Sequence, residues 1–161
     1  MATSTEQIKE LREKTGAGIM ECKRALDEGG SIDAAQKLLK EWGLALAEKK
    51  AGREAGQGVI DSYVHAGRIG ALVELNCETD FVARTDDFKT LAREIAMQVA
   101  ATNPTRLTAE ESSADGDVPL LDQPYIRDPG KTVQDLLNET VARVRENIVI
   151  RRFARFELGG Q

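Results

Sequence analysis

The sequence predicts an α+β protein on three observations: helical periodicity through the first fifty residues, period-two alternation from Val59 to Cys77, and helical spacing again from Asp86. These divide the chain into a three-helix docking module over 1–51, a linker over 52–58, and an α+β core over 59–161, in which a small antiparallel sheet carries helices on one side. Composition agrees with a packed interior, since 41% of residues are hydrophobic and 30% charged. A chain of 161 residues buries roughly two-thirds of its unfolded surface.

Ser4 with Gln7, or Thr3 with Glu6, offers a capping box for the first helix, whose buried stripe is marked by Ile8 and Leu11. Thr15-Gly16-Ala17-Gly18 ends it, because glycines favour backbone conformations that a helix excludes. A second helix carries Ile19, Cys22 and Leu26 and stops at Gly29-Gly30. Ser31 caps the third, with the stripe Ile32, Ala35, Leu39, Trp42 and Leu46, and Trp42 is read as a core anchor. Met20 falls off the second stripe beside the glycine-broken turn, either exposed for a partner or filling an irregular gap.

The next glycines, Gly52, Gly56 and Gly58, sit among mixed charges at spacings that fit no nucleotide-binding loop, so they read as linker. Val59–His65 and Arg68–Cys77 form a hairpin turning at Ala66-Gly67. A hairpin alone is not stable. The helix from Asp86 to about Ala101, with Phe88, Leu91, Ile95 and Val99 inward, must cover it, and Ile148–Leu158 supplies a third strand. That strand follows a helix bearing Val133, Leu137, Val141 and Val144, capped by Thr132 with Asp135. The intervening stretch, 103–130, holds all 4 prolines and is expected to be irregular, with at most one helical turn at Thr108–Glu111.

Between the hairpin and the helix at Asp86 lies a short junction bearing Asp80 and Phe81, with Thr85 or Asp86 placed to cap the helix. If one helix ran through Phe81, Phe88 and Ile95, spaced by seven, pattern would put Phe81 in the core and make Asp80 an ordinary cap. Junctions of this kind also carry side chains at a protein's edge.

Charge and chemistry narrow the function. A formal charge of −5 and a pI near 5.1 argue against nonspecific attraction to nucleic acid or anionic membrane, and for a protein or small-molecule partner. No apolar run approaches the roughly 18 residues of a membrane helix, and the polar start lacks a signal-like stretch, so a cytoplasmic location is expected. Cys22 and Cys77 read as buried thiols, and His65 alone leaves little for a zinc site or a histidine base. Gly130-Lys131-Thr132 ends like a phosphate-binding loop, but Tyr125 stands where the loop needs glycine. Asp86-Asp87 and Glu110-Glu111 read as solvated surface. No catalytic residue, metal or cofactor is expected, and the chain is not read as an enzyme. Arg143, Arg145, Arg151, Arg152 and Arg155, interleaved with Phe153 and Phe156, are the one basic concentration and support an alternative, a nucleic-acid-binding module. Strand alternation divides them, which favours pairing with carboxylates instead.

Five segments, Leu11–Lys23, Val73–Ala83, Gln123–Pro129, Lys131–Val133 and Glu146–Arg152, resemble the elongation factor Ts family, the guanine nucleotide exchange factors of elongation factor Tu. The resemblance implies a ubiquitin-associated-like head that docks on the partner's GTP-binding domain through Arg12, Ile19 and Met20. It also implies that Thr79, Asp80, Phe81 and Val82 enter the partner beside its magnesium site, with Phe81 as the wedge. Longer members carry a second half of the core and a coiled-coil insertion. The resemblance here is to the short form, for which a homodimer is expected.

Overall fold

Helices pack on one face of a three-stranded antiparallel sheet in the computed structural model, which describes residues 2–111 and 116–160. The α+β class follows directly. In chain order the elements are α1 (Thr5–Thr15), α2 (Ile19–Gly29), α3 (Ile32–Lys50), β1 (Gln57–His65), β2 (Ile69–Cys77), α4 (Asp80–Ala83), α5 (Asp86–Thr102), β3 (Pro124–Tyr125), β4 (Asp128–Thr132), α6 (Val133–Val144) and β5 (Val149–Glu157).

The first three helices start and stop where their caps dictate. Of the two possible boxes, Ser4 with Gln7 forms: Gln7 N–H donates to Ser4 Oγ at 3.2 Å and Ser4 N–H to Gln7 Oε1 at 3.0 Å. The Thr3 hydroxyl goes to Asp27 instead. Gly16, at φ 68°, closes α1 in the left-handed conformation. Leu11, Cys22, Ala25, Leu26 and Ala35 make a small core, fringed by Ile8, Ile32, Leu39 and Trp42. Ile19 does not join it and stands exposed, against its expected place in the stripe of α2. The half-buried Trp42 takes the Arg24 guanidinium over its ring, 4.3 Å from the centroid.

The sheet order is β1-β2-β5. Ala71, Val73, Leu75 and Cys77 on the inner face of β2 pack with Phe88, Leu91, Ile95 and Val99 of α5, with Val133, Leu137 and Val141 of α6, and with Leu120, Ile148 and Ile150. Ala66 (φ 53°) and Gly67 (φ 66°) both turn left-handed at the hairpin, closed by Arg68 N–H to His65 C=O at 3.0 Å. β1 begins inside the expected linker. Gly58 belongs to the strand, where a Cβ would stand 2.1 Å from the Leu75 carbonyl oxygen. Arg151 is the extra residue of a bulge in β5, because Glu74 pairs with Arg152 while Leu75 pairs with Ile150.

The proline-containing stretch is more ordered than expected. A 3₁₀ turn at Leu120–Asp122 and the β3–β4 ribbon are held by buried Gln98, which donates to Gln123 Oε1 (3.0 Å) and Pro124 C=O (3.1 Å) and accepts from Ile126 N–H (3.0 Å). A two-stranded ribbon tolerates Pro124 and Pro129 because it has free edges. Thr108–Glu111 makes a turn without a helix, and residues 112–115 lie outside the described range. The end of α3 lies against α6, with Gly43 so near Ala142 that a Cβ would contact it at 3.4 Å.

Candidate functional site

Two threonines six residues apart split the junction after β2 into two helices. Thr79 Oγ1 accepts Val82 N–H at 3.3 Å and starts α4, and Thr85 Oγ1 accepts Phe88 N–H at 3.3 Å and starts α5. Arg84 and Thr85 end α4 by turning their N–H groups back on Phe81 C=O (3.3 Å) and Val82 C=O (3.0 Å). No single helix therefore runs from Phe81 to Ile95, and the face shared in the pattern does not exist. Phe88 is 0% exposed while Phe81 is 77% exposed, which corrects the core placement of Phe81. Buried Ala83 and half-buried Val82 anchor the turn from below. Asp80 is not the cap. It lies in the first turn of α4, favourable to the helix dipole, and pairs with Arg84 at 3.2 Å in solvent.

The base of the turn is fixed by carboxylates. Glu146 Oε1 accepts the N–H groups of Glu78 (3.1 Å) and Thr79 (2.9 Å), and Oε2 accepts the Thr79 hydroxyl (2.7 Å). Glu78 in turn accepts Asn147 N–H at 3.0 Å and pairs with Arg53 at 3.1 Å. Cys77, directly before, is buried and donates to Thr79 C=O at 3.1 Å. Burial, then the nearby Glu146 and Glu78 charges, push its thiol from 9.0 up to about 11, so it stays protonated and unreactive at neutral pH. Cys22 is likewise buried, and burial raises its thiol.

A second exposed patch occupies the start of α2. Ile19 and Met20 are its first two residues, 54% and 72% exposed, and Arg12 is exposed near the end of α1. Gly18 before them has no side chain to cap the helix, and its N–H goes to Glu21 Oε2 at 3.4 Å. The two patches sit on different elements, α1–α2 and α4, and are bridged by side chains at the end of α6 and in the junction that follows it. Sequence reasoning expected Arg143 and Arg145 to pair with carboxylates but did not foresee that they join distant elements. Thr79 and Glu146 are 67 positions apart, and nothing local to either announces the other.

Four of the five arginines of the basic concentration are paired with carboxylates, and Arg151 is exposed on β5. Arg152 pairs with Glu74 (2.9 Å), Arg145 with Glu21 (2.9 Å), Arg143 with Asp87 (3.8 Å) and Arg155 with Glu157 (3.2 Å). His65 is exposed beside Tyr63, whose hydroxyl lies 3.1 Å from Nδ1. Among the described residues no group of three or more His, Cys, Asp or Glu could hold a metal ion, and no helix is long and apolar enough to cross a membrane.

Comparison with known proteins adds the family. A profile described as Elongation factor TS matches residues 33–116 and 78–161. A protein named Elongation factor Ts from Thermoanaerobacter sp. (strain X514) is 48% identical over 193 aligned positions, covering 97% of this chain and 95% of its own. Those from Thermodesulfovibrio yellowstonii and Herpetosiphon aurantiacus are each 45% identical, over 194 and 196 positions, covering 99% of this chain and 98% and 99% of theirs. Each alignment runs over more positions than the 161 residues of this chain, so these relatives carry internal residues with no counterpart here.

Proposed function

The chain belongs to the elongation factor Ts family and is a translation elongation factor; from that premise we propose that it acts in the cytoplasm as the guanine nucleotide exchange factor of elongation factor Tu. The observation that supports this reading most is the exposure of Phe81 on a turn anchored beneath it by Thr79, Val82, Ala83 and Glu146. A large apolar side chain held out on a braced turn suits insertion into another protein. Thr79, Asp80, Phe81 and Val82 enter the GDP-bound partner beside its magnesium site. Arg12, Ile19 and Met20 dock the helical head on its GTP-binding domain.

Bound GDP is held through Mg²⁺ and a phosphate-cradling backbone, so a wedge that disturbs the metal's ligands weakens many contacts together. Binding of the factor and of nucleotide then oppose each other reciprocally, each tenfold loss of affinity being about 1.4 kcal/mol of coupling. No covalent bond changes in this chain, and GTP expels the factor on rebinding. Release of labelled GDP from elongation factor Tu tests the reading. Acceleration by this protein is expected, and an unchanged release rate overturns it.

The same reading includes a homodimer. Ile60, Val64, Leu72 and Phe156 stand exposed on the outward sheet face, where register aligns Val64, Gly70 and Phe156 across three strands. A second copy covering that face removes the exposed apolar patch. Sedimentation over a concentration series is expected to give a dimer, and a monomer at all concentrations removes this part of the proposal.

A further inference from the structure

The last turn of α6 and its junction with β5, residues 143–147, reach more separate elements than their position in the chain suggests. Arg143 donates through Nη2 to the carbonyl of Thr15 at 2.9 Å, at the end of α1, and its Nη1 stands 3.8 Å from Asp87 in the first turn of α5. Arg145 donates to Glu21 in the first turn of α2 at 2.9 Å. Glu146 takes three hydrogen bonds from Glu78 and Thr79. Asn147 donates its amide side chain to the carbonyls of Ala51 (3.3 Å) and Arg53 (2.8 Å), where α3 ends and the chain leads to β1.

Two of these residues thus hold the segment that contains Ile19 and Met20, and two hold the base of the turn that contains Phe81. We propose that residues 143–147 are a clasp that sets the spacing and orientation of the two partner-facing patches, so that a GTP-binding partner meets them as one surface. The inference rests on the exchange reading above, and Arg143, Arg145 and Glu146 are positioning residues in it.

Three features favour a geometric role over simple stabilisation. Arg145 and Glu21 are well exposed, at 60% and 41% of their side chains, and exposed ion pairs contribute little to folding. Arg145 also adopts a left-handed backbone (φ 61°), uncommon for a residue with a side chain, and this turns the chain from α6 so that Glu146 follows at once. Gly16, besides its own φ of 68°, leaves the clearance Arg143 occupies, since a Cβ there would lie 2.7 Å from Arg143 Nε. Two contacts on one rigid body reinforce each other only at the correct separation, because the second then forms at a high effective concentration. Loosening the head side of the clasp should therefore weaken encounter with the partner while leaving the action of Phe81, once seated, intact.

The experiment is GDP release from elongation factor Tu measured against factor concentration. R143A/R145A is expected to raise the half-maximal concentration about tenfold, with the saturated rate within about twofold of the unaltered chain. Adding Met20→Ala to R143A/R145A is expected to cost less than the product of the separate effects, because the head contact is already compromised. On the other side of the clasp, Glu146→Ala should lower the saturated rate and Glu146→Gln, which still accepts both N–H groups, should restore most of it. Arg145→Ala alone serves if the double variant does not fold. An unchanged half-maximal concentration, or effects of the arginine and Met20 variants that multiply in full, overturns the clasp while acceleration by the unaltered chain upholds the exchange reading. No acceleration by the unaltered chain overturns both.

Discussion

Phe81→Ala separates a wedge from a core residue by magnitude. Full burial of a phenylalanine is worth about 3 kcal/mol at most relative to exposure. At 77% exposed, Phe81 has already gained only about a quarter of that, below about 1 kcal/mol, and about 2 kcal/mol remains to be gained on a partner. Truncation should lower Tm by no more than about 3 °C, since 1 kcal/mol moves a chain of this size by about 2–4 °C. Exchange efficiency should fall about 30-fold, because tenfold corresponds to about 1.4 kcal/mol. Phe88→Ala is the internal standard: fully buried, it should cost about 3–5 kcal/mol and roughly 10 °C. The assay pairs thermal unfolding with release of labelled GDP from elongation factor Tu. If Phe81→Ala melts as early as Phe88→Ala, Phe81 is a packing residue and the reasoning fails. If it melts normally and exchanges normally, Phe81 is exposed without use and the wedge fails.

Other predictions test the scaffold and the alternative function. Gly58→Ala places a Cβ 2.1 Å from the Leu75 carbonyl oxygen and should cost more than about 2 kcal/mol in urea unfolding, whereas Gly56→Ala meets nothing within 4 Å and should be close to neutral. Burial and neighbouring carboxylates raise the Cys77 thiol from 9.0 to about 11, so the folded chain holds that proton more tightly than the unfolded one. Its contribution to stability is whole below about pH 9 and is lost as pH rises to about 11; urea unfolding at stepped pH should show the decline, shallower in Cys77→Ala. Arg143, Arg145, Arg152 and Arg155 are paired with Asp87, Glu21, Glu74 and Glu157, which leaves Arg151 exposed outside these pairs, so an RNA titration at low salt should be flat; salt-sensitive binding would support a nucleic-acid role instead.

Most elements were legible because each rests on local chemistry. Ser4, Ser31, Thr85 and Thr132 cap the helices they precede, and the alternation through Ala71, Val73, Leu75 and Cys77 fixes the buried face of β2. Phe81 was misplaced by pattern because spacing by seven means a shared face only on an uninterrupted helix, and Thr79 with Thr85 interrupts it. The β3–β4 ribbon escaped because its order comes from Gln98 on α5, a polar residue whose partners are distant in sequence. The bulge at Arg151 was equally invisible, since register with β2 is a property of two strands together. Resemblance to a known family named Thr79–Val82 and the head residues, but it gave no role to Glu146 or Arg143, which act through other residues.

The internal residues that the relatives carry and this chain lacks bear on what exchange requires. The chain has 161 residues where alignments to those relatives extend over 193 to 196 positions, yet both exposed patches and every bridging residue from Arg143 to Asn147 are present. Whatever the absent positions contribute in the relatives, they cannot supply a contact here. On the proposed reading, nucleotide release by this chain uses the wedge, the docking head and the clasp between them without any contact from those residues. This gives the clasp a larger share of the work than it needs in a chain with additional partner contacts. The half-maximal concentration of this protein should accordingly respond more strongly to R143A/R145A than does that of the Thermoanaerobacter relative with alanine placed at the two aligned positions. An equal response in both would mean that the additional residues take no part in holding the partner.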